Sequence, residues 1–186
     1  MTTQPQPRAF TAEEFIDWTM TQPRGRYELA GGVVVEMAAE RVEHVRAKLA
    51  VVMALGSSIA ERGLGCEAMT DRVAVRVDDR TVYEPDALIR CGDRTSGDTV
   101  AITDPVILVE VVSPSSAALD SGMKLVDYFR LPSLRHYLVV NIEPRAVTHH
   151  RLDEAGGIAT RILRSGSLLL DPPGITVEVA DCFATL

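Results

Sequence analysis

Residues 107–116, Ile-Leu-Val-Glu-Val-Val-Ser-Pro-Ser-Ser, place a carboxylate, Glu110, inside an otherwise apolar run. The run from Val106 to Val112 is apolar on both sides and predicts a central strand of a sheet. An ionised carboxylate in a dry strand is costly unless it is paired or coordinates a metal. Ser113-Pro114-Ser115-Ser116 breaks the strand and offers caps for a helix over about residues 117–131, which Pro132 ends.

Upstream, Thr11-Ala-Glu-Glu14 fits a capping box opening a helix with Phe15, Ile16 and Trp18 on its apolar face. Two extended runs flank Gly31-Gly32 and predict a hairpin. Residues 41 to about 63 predict a long helix with Val45, Leu49, Val52 and Ile59 as its apolar face, stopped by Gly63. Val73–Val77 predicts a strand with one wet face. Tyr83–Arg90 predicts another, beginning around Pro85, and residues 91–104 a polar loop. Downstream, Tyr137–Asn141 predicts a strand, Ala146–Leu152 with Thr160–Leu163 a terminal antiparallel ribbon, and Ile175–Val179 a last strand. The mixed order predicts an α/β or α+β domain with one sheet over residues 9–186, after a frayed, proline-rich start at residues 1–8.

The chain has 186 residues, enough for one sizeable core. No apolar run reaches the length of a membrane span, and the first residues do not read as a secretory signal. Cys66, Cys91 and Cys182 are odd in number and far apart, which suggests no disulfide framework and fits a reducing cytoplasm. The net charge of −7 argues against a non-specific nucleic-acid coat. Arg24, Arg26, Arg41, Arg46 and Lys48 are a possible basic rim, with a solvated charged face as the plainer reading.

If the Tyr83–Arg90 strand and the Glu110 strand are antiparallel neighbours, Asp86 falls opposite Glu110, with Cβ atoms roughly 5 Å apart. A divalent metal between the two carboxylates would remove their repulsion and suits magnesium's preference for oxygen. Asp120, Lys124 and Tyr128 recur every four residues and share a face of the following helix. The plain alternatives are a strand-edge turn for Asp86, a salt bridge with Lys124 alone for Glu110, an ordinary helix-surface pair of Asp120 and Lys124, and a packed aromatic for Tyr128. The serines lack a recognisable histidine partner and read as caps. His149-His150, away from the acids, carries no assigned role.

Taken in order, TAEEFIDW, GRYELAGGVVVEM, Glu43-His44, EPDALI, VILVEVVSPSS with Asp120 and Lys124, and YLVVN resemble the Uma2 family (DUF820). These are bacterial proteins of the restriction-endonuclease-like superfamily with the PD-(D/E)XK core. The resemblance implies a central mixed β-sheet flanked by helices, with an N-terminal hairpin and a C-terminal antiparallel ribbon. It also implies a nuclease using Mg²⁺ (or Mn²⁺), with Asp86, Glu110 and the backbone carbonyl of Val111 as metal ligands. The superfamily's lysine position, two residues after the second acid, holds Val112, and Lys124 on the next helix matches the family's displaced lysine. Glu28 matches an N-terminal glutamate that joins the acidic site. His44 is a possible phosphate contact, and Tyr128 and Asp120 possible support. Gly31, Leu138, Asn141 and the residues around Lys124 depart from the family pattern. The implied partners are nucleic acid, with DNA favoured over RNA, and a second copy in a homodimer; no membrane is implied. The rivals are a catalytically silent nucleic-acid- or protein-binding module on the same fold, and a scaffold subunit dimerising through a sheet edge.

Overall fold

Glu84-Pro85-Asp86 decides the architecture, because the extended stretch expected to run through it divides there between two sheets. The computed structural model describes residues 9–112, 121–153 and 155–186. The first sheet joins β1 (Tyr27–Ala30), β2 (Val33–Glu36), β4 (Ala74–Asp78), β5 (Thr81–Tyr83) and β7 (Ala101–Ile102) in the order β2-β1-β5-β4-β7. The second joins β3 (Cys66–Thr70), β6 (Ala87–Cys91), β8 (Ile107–Val112), β9 (His136–Asn141), β10 (Ala146–Leu152) and β11 (Ile158–Leu163) in the order β11-β10-β9-β8-β6-β3. A separate hairpin pairs β12 (Ser167–Leu170) with β13 (Ile175–Glu178). A proline ring removes a ladder donor, so Pro85 sits at the crossing between β5 and β6 rather than inside either strand.

The single expected sheet is therefore two sheets and a hairpin. The expected antiparallel ribbon forms from β10 and β11, and β10 also pairs with β9, so the ribbon extends the six-stranded sheet. The stretch around Val73 resolves into β3 and β4 in different sheets, and β4 lacks a clean wet face. Strand β8 is central and buried, as its apolar composition predicts, and it runs parallel to β9 and antiparallel to β6.

Among the described residues, three α-helices flank the sheets. Helix α1 (Ala12–Met20) opens with the expected Thr11–Glu14 capping box. Helix α2 (Val42–Arg62) ends on Gly63 in the left-handed region, at φ 61°, where a residue without Cβ is favoured. Helix α3 (Ser121–Tyr128) covers the second half of the expected helix; its expected start at 117, the Ser-Pro-Ser-Ser turn and Asp120 lie outside the described residues. The Gly31-Gly32 hairpin forms with both residues at positive φ.

The two helices nearest β8 pack on opposite faces of its sheet. Ala47, Val51, Leu55 and Ile59 of α2 join Ala87, Ile89, Ile107, Val109 and Val111 in one core cluster. Tyr128 of α3 joins Leu88 and Leu108 in another. The face of α2 that is buried differs from the expected one. Val45 and Leu49 are each 54% exposed, whereas Ala47, Ala50, Val51 and Leu55 are buried. Apolar residues surround most of this helix, so periodicity alone does not choose its inner face.

Cys66 and Cys91 form a disulfide with a Cα–Cα distance of 3.9 Å, and Cys182 is the free, buried cysteine. This corrects the expectation of unpaired cysteines and removes that premise for a reducing cytoplasm. The two residues stand 25 apart in sequence but directly opposite in the antiparallel β3–β6 pair. Among the described residues, no helix is long and apolar enough to cross a membrane.

Candidate active site

The register between β6 and β8 sets Ala87 across from Val109, and continuing it by one residue sets Asp86 across from Glu110. Asp86 is 5% exposed and accepts the Val111 N–H through Oδ2 at 2.6 Å. Its side chain thus caps a backbone donor at the strand end, which fixes the carboxylate beside Glu110.

Glu110 is met from the α3 layer. Lys124 Nζ lies 3.1 Å from Glu110 Oε1, and the Tyr128 hydroxyl donates to the same oxygen at 2.8 Å. Both side chains lie on one face of α3, four residues apart, and both are buried. Lys124 also reaches Glu28 Oε1, at 2.9 Å, on β1 of the other sheet. Glu28 Oε1 in turn accepts the Glu84 N–H at 2.9 Å, next to the crossing between the sheets. The Lys124 ammonium stands 5.3 Å from the centre of the Tyr83 ring, a favourable cation–aromatic placement. Lys124 is therefore a buried cation, and the alternative of a helix pair with Asp120 falls on a residue outside the described ones. Tyr128 is both a packed aromatic, edge-on to Tyr83 and Tyr137, and a donor to the acid.

Asp86 is met from the opposite layer. Lys48 of α2 places Nζ 2.7 Å from Asp86 Oδ1 and 3.3 Å from Asp71 Oδ2, and pairs with Glu40. Arg26 pairs with Glu40 as well and holds Glu84 at 2.8 Å. Two members of the expected basic rim, Lys48 and Arg26, are thus engaged with acids beside the site. Lys48 is 4% exposed, and its place in a rim is corrected. Sequence reasoning missed it because Val45 and Leu49 were taken as buried beside Ile59, whereas Lys48 shares the buried stripe of Val51, Leu55 and Ile59. A second signal was available. The chain carries 19 cationic lysine and arginine side chains, yet lysine occurs only at positions 48 and 124.

The electrostatics follow from burial. Desolvation pushes the Glu110 carboxyl up, Lys124 opposes that, and the Asp86 and Glu28 carboxylates add to it. Burial by itself would lower the Lys48 ammonium, but Asp86 and Glu40 outweigh it and hold it above its ordinary range. Burial and the Glu110 charge raise Tyr128, which keeps its hydroxyl a donor.

These donors suit a hard divalent cation. Opposed carboxylates and a strand-end backbone carbonyl are oxygen ligands of the kind such a cation prefers. Among the described residues, however, no three His, Cys, Asp or Glu side chains close around one point. Two lysines, one from each layer, supply the positive charge instead. His44 lies one turn before Lys48 on α2; its Nδ1 is buried and has no hydrogen-bond partner among the described residues.

His149, given no role from sequence, pairs with His136 at 2.9 Å, and His136 Nε2 lies 3.1 Å from the Pro172 carbonyl oxygen. This pair sits toward the other end of the six-stranded sheet, where His136 aligns with Ile107 while Glu110 aligns with Val139.

Comparison with known proteins bears on the fold and the family. The crystal structure of a "putative nuclease belonging to DUF820" from Anabaena variabilis superposes with a TM-score of 0.75. It shares 12% identity, over 94% of this chain and 98% of that one, a likeness of fold. The uncharacterized protein slr1290 of Synechocystis sp. is 26% identical over 169 residues, covering 90% of this chain and 87% of the relative. The uncharacterized protein sll1609 of the same organism is 23% identical over 146 residues, covering 77% and 81%. The model of the Uma2 family, described as "Putative restriction endonuclease", matches residues 12–182, and the chain belongs to that family.

Proposed function

We propose that this chain is a Mg²⁺-dependent nuclease hydrolysing phosphodiester bonds of nucleic acid, with DNA as the favoured substrate. The observation that carries the reading is the convergence of Asp86, Glu110, Glu28 and Lys124, from two sheets and a helix, at one sheet end. Such buried charges are costly to hold together, and chemistry is a reason to keep them.

Asp86, Glu110 and the Val111 carbonyl would hold the cation, which supplies positive charge against the scissile phosphate and acidifies the attacking water. Lys124 orients that water or stabilises the negative charge developing on the phosphate oxygens. Glu28 anchors the Lys124 ammonium from the other sheet, and Tyr128 fixes the Glu110 oxygen that Lys124 also touches. His44, at the start of α2, is a candidate phosphate contact.

The test is cleavage of mixed DNA and RNA substrates with Mg²⁺ or Mn²⁺, by wild type and by Asp86→Ala. The wild type is expected to cleave, DNA faster than RNA, and the variant to lose the activity. Equal cleavage by both would assign it to a contaminant. A binding module without turnover is the second reading, favoured by the net charge of −7 and by acids already paired with lysines. Nucleic-acid binding by wild type, unchanged by metal and without cleavage, would select it.

A further inference from the structure

The acids of the site do not face one another across empty space; each described pairing sets a carboxylate against an ammonium. Lys124 serves Glu110 and Glu28, and Lys48 serves Asp86. In a chain whose other cationic side chains are all arginine, the two lysines occupy this one cluster. They approach from opposite layers of the sheet, so Lys48 does not duplicate the reach of Lys124.

We propose that Lys48 is the resident counter-ion of Asp86, a positioning residue that competes with the divalent cation for that carboxylate. When the cation arrives, Lys48 transfers to Glu40 and Asp71. The inference rests on the metal-dependent reading of the site above and names the residue that regulates loading.

Three observations carry it. First, the Lys48 ammonium lies 2.7 Å from Asp86 Oδ1, while Asp86 Oδ2 is committed to the Val111 N–H. The oxygen left for a metal is the one the ammonium holds. Second, two positive charges cannot share one buried carboxylate without strong mutual repulsion. Third, the ammonium has a route away: it already touches Glu40 and stands 3.3 Å from Asp71. The side chains of those two acids are 24% and 27% exposed, against 8% for Asp86, so the path leads from the buried carboxylate toward water.

Calorimetric titration of the full chain with Mn²⁺ tests the proposal. Lys48→Gln, which keeps a hydrogen-bond donor and removes the charge, is expected to bind Mn²⁺ at least about tenfold more tightly than wild type. Lys48→Arg keeps the charge and is expected to bind like wild type. Equal or weaker binding by Lys48→Gln, equal tightening by Lys48→Arg, or no binding by either wild type or Lys48→Gln would overturn it. If Lys48→Gln fails to fold, wild-type protein carrying ¹³C-labelled lysine gives an independent reading. It has two lysine signals, and the Arg variant assigns them. The Lys48 signal is expected to move as Mg²⁺ is added, and a stationary signal overturns the proposal. A wild type that cleaves nothing, with the expected gain in Mn²⁺ affinity in Lys48→Gln, sinks the nuclease reading and leaves this one standing. A wild type that cleaves, with no gain in that variant, sinks this one alone.

Discussion

The two ends of the six-stranded sheet solve the same problem in different ways. At one end, Asp86 and Glu110 keep buried carboxylates in company with Lys48, Lys124 and Tyr128. At the other, His136 and His149 lie buried and share a proton-bearing contact, and Cys66 and Cys91 tie β3 to β6 covalently. Burial favours the neutral form at both ends. It pushes Glu110 up and the histidines down, His149 to about 4. The histidines accept neutrality, with a backbone carbonyl as the further partner of His136. The acid end opposes it with ammonium groups from both flanking helices, yet Glu110 is still pushed up to about 8. A sheet end that gathers ionisable groups against desolvation is built for more than stability, and the other end shows what the cheaper arrangement looks like.

The largest effect should come from removing Lys124. Lys124→Met leaves Glu28 and Glu110 buried without their shared cation, and a loss of about 3–5 kcal/mol in urea-derived stability is expected. A loss under about 1 kcal/mol would mean the acids are already neutral, and the contrast between the two ends would collapse. Next is the covalent tie at the other end. Replacing Cys66 and Cys91 together by alanine opens a loop of 25 residues, and about 3 kcal/mol of stability should go with it. Under the proposed function, any cleavage by the wild type should persist in the folded double variant, because the disulfide lies at the far end of β6 from Asp86.

Tyr128→Phe removes one donor to Glu110 with little change in packing. Above about pH 8, where Glu110 is ionised, a loss of about 1.5–2 kcal/mol is expected from chemical denaturation, in line with a hydrogen bond to a charged group. The smallest effect belongs to the histidines. The folded pKa of His149 lies below its unfolded value because burial, and then His136, disfavour its charged form. The contribution is fully present above about pH 6.5 and is lost as the pH falls toward about 4, since the unfolded chain takes up the proton first. Between pH 7 and pH 6 the wild type should lose about 0.7 kcal/mol from this group, and His149→Gln should flatten that part of the profile. An unchanged slope would assign the pH dependence to the acid end.

Much of the chain was legible without coordinates, and the misses share a cause. The Thr11–Glu14 cap, the Gly31-Gly32 turn, the Gly63 stop and the buried β8 rest on local rules of dihedral, capping and apolar run length, and each appears where the residues predict it. The pairing of Asp86 with Glu110 was also within reach, because an antiparallel register needs only two strands and their order. The disulfide, the division at Pro85 and the inner face of α2 were not. Each depends on which distant element lies alongside, and nothing in a local window carries that.

The sequence by itself determined most of the helices, the central strand and the acids Asp86 and Glu110, because burying a charge in an apolar strand is a local contradiction that demands an answer; the family resemblance added the lysine at 124. Only the tertiary structure decided the answer's full form: Glu28 arrives from a second sheet, and Lys48 arrives from the opposite layer through a helix whose apolar residues surround it. The physical reason is that local preference fixes backbone conformation, whereas the compensation of a buried charge is settled by whichever groups the packed layers bring within a few ångströms of it.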